Sequence, residues 1–221
     1  MRYFKDFLRS GARRARMASL AVCALCAIVS AAQKKDSSQE QLVDLSELTL
    51  EETIMLPDVP SKQTSYIKGY MKREAQALQK MGYKVETTRK GEVVIATIPA
   101  DELFAPNDTL LMGSAADKLK PFLPYFRTHG KFKVILAMHS DDTGSDDYLY
   151  SLTEKRIVSL YDYFDRHAAQ TDMLQGYPMA DSDPIKDTSY GSASERRANR
   201  RLEIFIVPGP MLIVDAKNKK L

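Results

Sequence analysis

The stretch from Lys131 to Ala169 most narrows what this chain can become. It opens with Lys131-Phe-Lys-Val-Ile-Leu-Ala-Met138, a largely apolar run of strand length. It closes with Thr153 to Ala169, where Ile157, Leu160, Tyr161, Phe164 and Ala168 recur at helical spacing and mark an inward face. Between them lies His139-Ser-Asp-Asp-Thr-Gly-Ser-Asp-Asp147, a polar turn. A strand, a turn and an amphipathic helix in that order must each bury one face against another layer.

The flanking sequence extends the pattern. Thr64 to Met81 repeats Ile67, Tyr70, Met71, Ala75, Leu78 and Met81 at helical spacing, and Gly82 marks its end. Tyr83–Thr88 and Glu92–Ile98 read as strands joined through Arg89-Lys90-Gly91, a hairpin. Asp101 to Thr109 is a turn-rich connector, and Ser114–Phe126 a helix with Ser114 as N-cap, where Pro121 and Pro124 imply a late start or a kink. Met173–Tyr177 is a short strand, residues 178–194 a polar loop, and Ser194–Ala198 a short helix. In the last strand, Arg201–Val207, residues Leu202, Ile204 and Ile206 share one face. Alternation of this kind predicts an α/β (α+β) two-layer sandwich, a mixed sheet with helices on one face.

The first 32 residues read as an address. Arg2, Lys5, Arg9, Arg13, Arg14 and Arg16 precede the apolar Ala18–Ala32, whose small closing residues fit signal cleavage. As a helix this apolar run would reach roughly 22 Å, short of the ~30 Å hydrocarbon core. An exported protein is expected, with an uncleaved anchor or lipidation at Cys23 or Cys26 as alternatives. Without the leader, residues 33–221 carry 26 basic and 28 acidic side chains and no cysteine. A net −2 gives no nucleic-acid footprint, and the mature domain must be held by its core rather than by disulfides. Residues 33–62 read as a flexible linker, 63–92 as a helix-plus-hairpin extension, 93–208 as the main domain and 209–221 as an unassigned tail.

Four aspartates around Gly144 invite a metal or catalytic reading, and the spacing rejects the first. Placing Gly144 at the glycine of an EF-hand loop puts His139 first and Tyr150 twelfth, where oxygen ligands are required. Three scattered histidines and no mature cysteine exclude a familiar zinc pattern. His139, Ser140 and Asp141 are neighbours in sequence, which is not how catalytic triads converge. No metal, no cofactor and no enzyme activity are expected. Asp142, Asp146 and Asp147 are explained as solvent and helix-start acids. Asp141, just past a strand, and Arg156, at the third position of a helix capped by Thr153, are not. A guanidinium with helix-start amides favours a carboxylate, and an aspartate nearby favours an ammonium. Together they suit an amino-acid-like head group.

His139-Ser-Asp-Asp-Thr-Gly-Ser145, Tyr148 and Leu152-Thr-Glu-Lys-Arg156 resemble the signature of OmpA-like peptidoglycan-binding domains. Leu103-Phe-Ala-Pro-Asn-Asp-Thr109, Gly176-Tyr177, Pro184-Ile185 and Asn199-Arg-Arg-Leu-Glu-Ile204 resemble its opening turn and its ending. The resemblance implies a β-α-β-α-β domain that binds diaminopimelate of peptidoglycan stem peptides. It implies that Asp141 holds the ligand ammonium, that Arg156 and adjacent helix amides hold its carboxylate, and that Asn107 lines the pocket. Arg200 is a further candidate contact, in a run (Asn199, Arg200, Glu203) equally suited to structural ion pairs. Met138, Ser140, Leu149 and Pro178 depart from the pattern, and residues 33–100 cannot supply the eight-stranded barrel of OmpA itself. A partner in the outer membrane or envelope is the alternative role for the N-terminal segment.

Overall fold

Elements are numbered here in chain order. The computed structural model describes residues 48–186 and 191–220. The predicted leader, with Cys23 and Cys26, and residues 33–47 of the predicted linker lie outside the described residues.

The apolar run of the opening stretch becomes β3 (Phe132–His139), buried along its whole length. It is flanked by β5 (Arg201–Pro208) and β4 (Leu174–Ala180). The hairpin forms as predicted, with β1 (Lys84–Thr88) antiparallel to β2 (Val93–Pro99). The sheet order is β1-β2-β5-β3-β4, with only β3 and β4 parallel. A parallel pair needs a long crossover, and α4 (Asp146–His167) supplies it. Gly176 lets that helix lie directly on β4: a Cβ there would stand 2.5 Å from Ile157 Cγ2 and 3.0 Å from Tyr161 Cε2.

One face of the sheet carries the predicted core. Leu202, Ile204 and Ile206 join Val94, Ala96, Ile98, Val134, Leu136 and Met138 against the helices. Helix α2 (Thr64–Lys80) contributes Ile67, Met71, Ala75 and Leu78 to this same cluster. The helix and hairpin of residues 63–92 are thus integral to the sheet and its core, not an appendage. Helix α3 (Ala115–Leu119) gives way to a 3-10 segment, Lys120–Phe126, where Pro121 and Pro124 remove amide donors. The prolines thus fall in the 3-10 segment rather than the α-helix, and Ser114 makes no side-chain cap.

The crossover helix starts earlier than predicted. Ser145 is its N-cap, extended at φ −81 and ψ 152, and its side chain accepts from the Tyr148 N–H at 3.3 Å. Asp146 and Asp147 occupy the first turn, where acids favour the helix dipole. Thr153 is therefore not a cap. It is a buried mid-helix residue whose Oγ1 donates to Leu149 O and Tyr150 O at 2.9 and 3.0 Å. A threonine hydroxyl can satisfy itself on the preceding turn, so its presence does not mark a helix start.

Two further segments differ from expectation. Within residues 33–62, Leu50–Met55 forms a helix, α1, begun by a capping box between Thr49 and Glu52. Leu50 and Ile54 pack on the second sheet face with Val93, Ile135, Ala137, Phe205 and Val207. The main helices lie on one face as predicted, and this short helix adds cover on the other. The predicted tail contains α6 (Pro210–Lys217), which buries Leu212 and Ala216 and packs against α2 and β3. Among the described residues no helix is long and apolar enough to cross a membrane.

Buried cations fasten α1 at its C-terminal end, where carbonyls lack helical partners. Lys133 Nζ donates to Thr53 O, while Arg89 donates to Ile54 O at 3.0 Å and Pro57 O at 2.9 Å. Thr53 Oγ1 also meets Tyr177 OH at 2.5 Å. Burial, reinforced by the Arg89 charge, pushes the Lys133 pKa down to about 8. The unfolded chain therefore binds an extra proton between about pH 8 and the usual lysine value of about 10.4. Stability carried by this group is complete above that window and lost as pH falls through about 8. Melting temperature should accordingly include a rise across this window that Lys133→Met abolishes. An unchanged profile in the variant would show that Lys133 titrates normally.

Candidate functional site

The polar turn after β3 is held by its own backbone. Ser140 N–H donates to Ala180 O at 2.7 Å, and Asp141 Oδ1 accepts from the Thr143 N–H at 3.1 Å. Gly144 follows at φ +147, and a Cβ there would stand 2.9 Å from Tyr148 Cδ1. The Tyr148 ring thus rests on a position only glycine suits. Asp141 is 7% exposed, whereas Asp142, Asp146 and Asp147 face solvent, as predicted.

Arg156 reaches the same region from the third turn of α4. Its side chain is almost wholly buried, at 4% exposure. Nε donates to Asp108 O at 2.9 Å, and Cζ lies 4.9 Å from the Phe104 ring centroid. This stacking and the single backbone bond fix the guanidinium plane. No carboxylate of the described residues lies within ion-pair distance of it. Burial pulls its pKa below the ordinary arginine value; Tyr148, Asp108 and Asp141 oppose that shift and Arg200 adds to it. Because α4 begins at Asp146, the amides near Arg156 sit in the helix interior. The predicted helix-start amides therefore do not stand beside this guanidinium.

The connector between β2 and α3 supplies the third wall. Phe104 and Leu111 form an isolated antiparallel bridge that closes a short loop. Asp108 Oδ1 accepts from the Thr109 and Leu110 N–H groups at 2.6 and 3.0 Å, which lowers its pKa. Its backbone oxygen is thereby set to receive Arg156. Asn107 adopts the left-handed conformation, φ 59, that asparagine tolerates better than most side chains. Its Oδ1 accepts from Tyr148 OH at 3.3 Å.

The Asn199-Arg-Arg-Leu-Glu run divides its side chains between two tasks. Arg200, at the end of α5 (Ala193–Asn199), is 36% exposed in its side chain and donates from Nη1 to Asp141 Oδ2. Arg201, one residue on, is buried against the sheet. Its Nε donates to Glu203 Oε1 at 2.7 Å, Nη1 to Asn199 O at 3.3 Å and Nη2 to Asp183 O at 3.1 Å. His139 Nε2 lies 3.5 Å from Glu203 Oε2. Burial would raise the Glu203 pKa, but the His139 contact and the Arg201 charge overcome it and hold it at about 2. Asn199 exchanges hydrogen bonds with the Lys186 backbone, donating to its O at 2.9 Å and accepting from its N–H at 3.1 Å.

Asp141 and Arg200 are thus in direct contact, Arg156 lies within their field, and Asn107 joins through Tyr148 and Asp108. The sequence reading did not single out Phe104, Asp108 and Tyr148 as the residues that position the charges, nor Arg201. Strand alternation places Arg201 and Glu203 on one face, the signal that could have paired them. Leu149, one of the departures from the family pattern, is buried and packs beneath Gly144. A hollow of about 370 Å³ lies elsewhere, lined by Tyr83, Lys84, Glu102 and Lys118.

No family model matches the chain. It is 25% identical over 137 residues to the probable lipoprotein YiaD of Escherichia coli. That match covers 62% of this chain, which spans only about three-fifths (62%) of the relative's length. Among solved structures, a MotB-like protein from Desulfovibrio vulgaris is similar with a TM-score of 0.57 at 18% identity. The match covers 66% of this chain and 98% of that one. The periplasmic domain of Helicobacter pylori MotB gives a TM-score of 0.49 at 15% identity, covering 63% and 90% respectively. At these identities the likeness is one of architecture: the mixed five-stranded sheet and its helices share the fold of the MotB-like protein.

Proposed function

We propose that this chain is a non-enzymatic peptidoglycan tether that grips the diaminopimelate of stem peptides. The observation that carries the reading is Arg156, a buried guanidinium fixed by Asp108 O and Phe104 and lacking a carboxylate partner among the described residues. A buried charge is ordinarily paired, so this one is prepared for an incoming carboxylate. Asp141 beside it provides the seat for an ammonium, and Asn107 lines the opening. The MotB-like fold and the likeness to a lipoprotein support a periplasmic, envelope-associated setting, with the N-terminal segment leading to an outer-membrane or envelope partner.

Sedimentation with purified cell wall tests the reading. Wild-type protein is expected in the pellet, with Asp141→Ala and Arg156→Ala largely in the supernatant. Equal pelleting of all three would show that these residues are not the grip.

A further inference from the structure

Both oxygens of Asp141 accept hydrogen bonds in this structure. Oδ1 accepts from the Thr143 N–H within its own turn, and Oδ2 faces the half-buried Arg200 side chain. Arg200 takes that oxygen through Nη1 alone. Arg197 and Asp101, by contrast, pair through two guanidinium nitrogens, Nε at 2.5 Å and Nη2 at 3.1 Å. A one-point contact from a side chain that is about a third exposed can open into water without disturbing the sheet. Arg156 has no such freedom, being buried and stacked on Phe104.

We infer that Arg200 is an internal competitor for the ligand: it holds the ammonium seat on Asp141 until a zwitterionic head group displaces it. This rests on the proposed amino-acid-like ligand, and it assigns Arg200 the opposite role from a ligand contact. The two cations at the site then divide their work. Arg156 has no carboxylate partner among the described residues, while Asp141 is neutralised by Arg200 until a ligand takes its place. A ligand with a carboxylate alone engages half the site and leaves Arg200 in place. One carrying both charges must displace Arg200 and is read by that exchange, so discrimination comes at a cost in affinity.

The test is calorimetric titration of the full chain with two probes of one carbon skeleton, meso-diaminopimelate and pimelate, which lacks both amino groups. Wild type, Arg200→Ala and Arg200→Gln are compared, and the readout is the ratio of the two affinities. If Arg200 fills the seat about nine-tenths of the time, its removal should shift that ratio about tenfold toward diaminopimelate. Arg200→Gln, which keeps a donor without the charge, should shift it in the same direction. An unchanged ratio, or weakening of both probes together, would overturn the competitor role and leave the tether reading intact. Absence of diaminopimelate binding by all three proteins would overturn the ligand assignment itself, and the competitor role with it.

Discussion

Replacing Arg201 with methionine is expected to destabilise the fold by about 3–5 kcal/mol, the usual cost of removing one partner from a buried ion pair. Arg201 is the cation that Glu203 depends on, bonded at 2.7 Å, and it also satisfies Asn199 O and Asp183 O. Truncation would leave the buried Glu203 carboxylate facing His139 without its cation and remove the bonds that Arg201 donates to the Asn199 and Asp183 carbonyls. Urea denaturation measures this as a fall in midpoint. Pairing Arg201→Met with Glu203→Leu should recover much of the loss, because replacing both charges removes the stranded one. If the single variant melts like wild type, the cluster is decoration.

The same cluster sets the acid limit. Glu203 titrates at about 2 in the folded chain, below the ordinary glutamate value near 4.3. A depressed carboxyl pKa contributes stability that is fully present above the unfolded value and is lost as pH falls through the folded one. The window therefore runs from about pH 4.3 down to about 2. Across it, Glu203→Gln should flatten the acid limb of the stability profile, measured by denaturation at stepped pH. A limb of unchanged slope would assign acid lability to other carboxylates.

Much of this architecture was legible because periodicity reports which faces are buried. The opening run gave β3, the spacing from Ile157 to Phe164 gave the crossover helix, and Leu202, Ile204 and Ile206 gave the inner face of β5. What failed was punctuation. Thr153 looks like a cap, but its hydroxyl bonds within the helix, whereas Asp146 and Asp147, readable as helix-start acids, follow the true cap at Ser145. Helix α1 buries Thr53 and partly buries Leu50 and Ile54, too few apolar positions for a periodic signal. Its capping box, Thr49 with Glu52, was the visible clue. The tail helix carries Pro210 at its first turn, a position where proline's missing N–H costs nothing. Motif order singles out Asp141 and Arg156 as candidates. Their surroundings were not legible, because Phe104 and Asp108 meet Arg156 only through tertiary folding.

Those surroundings determine the size of the second effect. Arg156→Ala removes the charge-assisted hydrogen bonds offered to a carboxylate, worth about 1.5–3 kcal/mol each. Monovalent affinity for free diaminopimelate should therefore fall by at least about tenfold, measured by the same titration. Arg156→Lys keeps the charge but cannot reproduce the bond from Nε to Asp108 O or the stacked plane over Phe104. It should rescue only partly. On a polymeric wall the difference is amplified, since several weak contacts multiply while each remains exchangeable. A tenfold monovalent loss thus becomes near-complete release from sedimented wall. If Arg156→Lys binds as wild type does, charge alone suffices, and the fixed geometry built by Phe104 and Asp108 serves the fold rather than the grip.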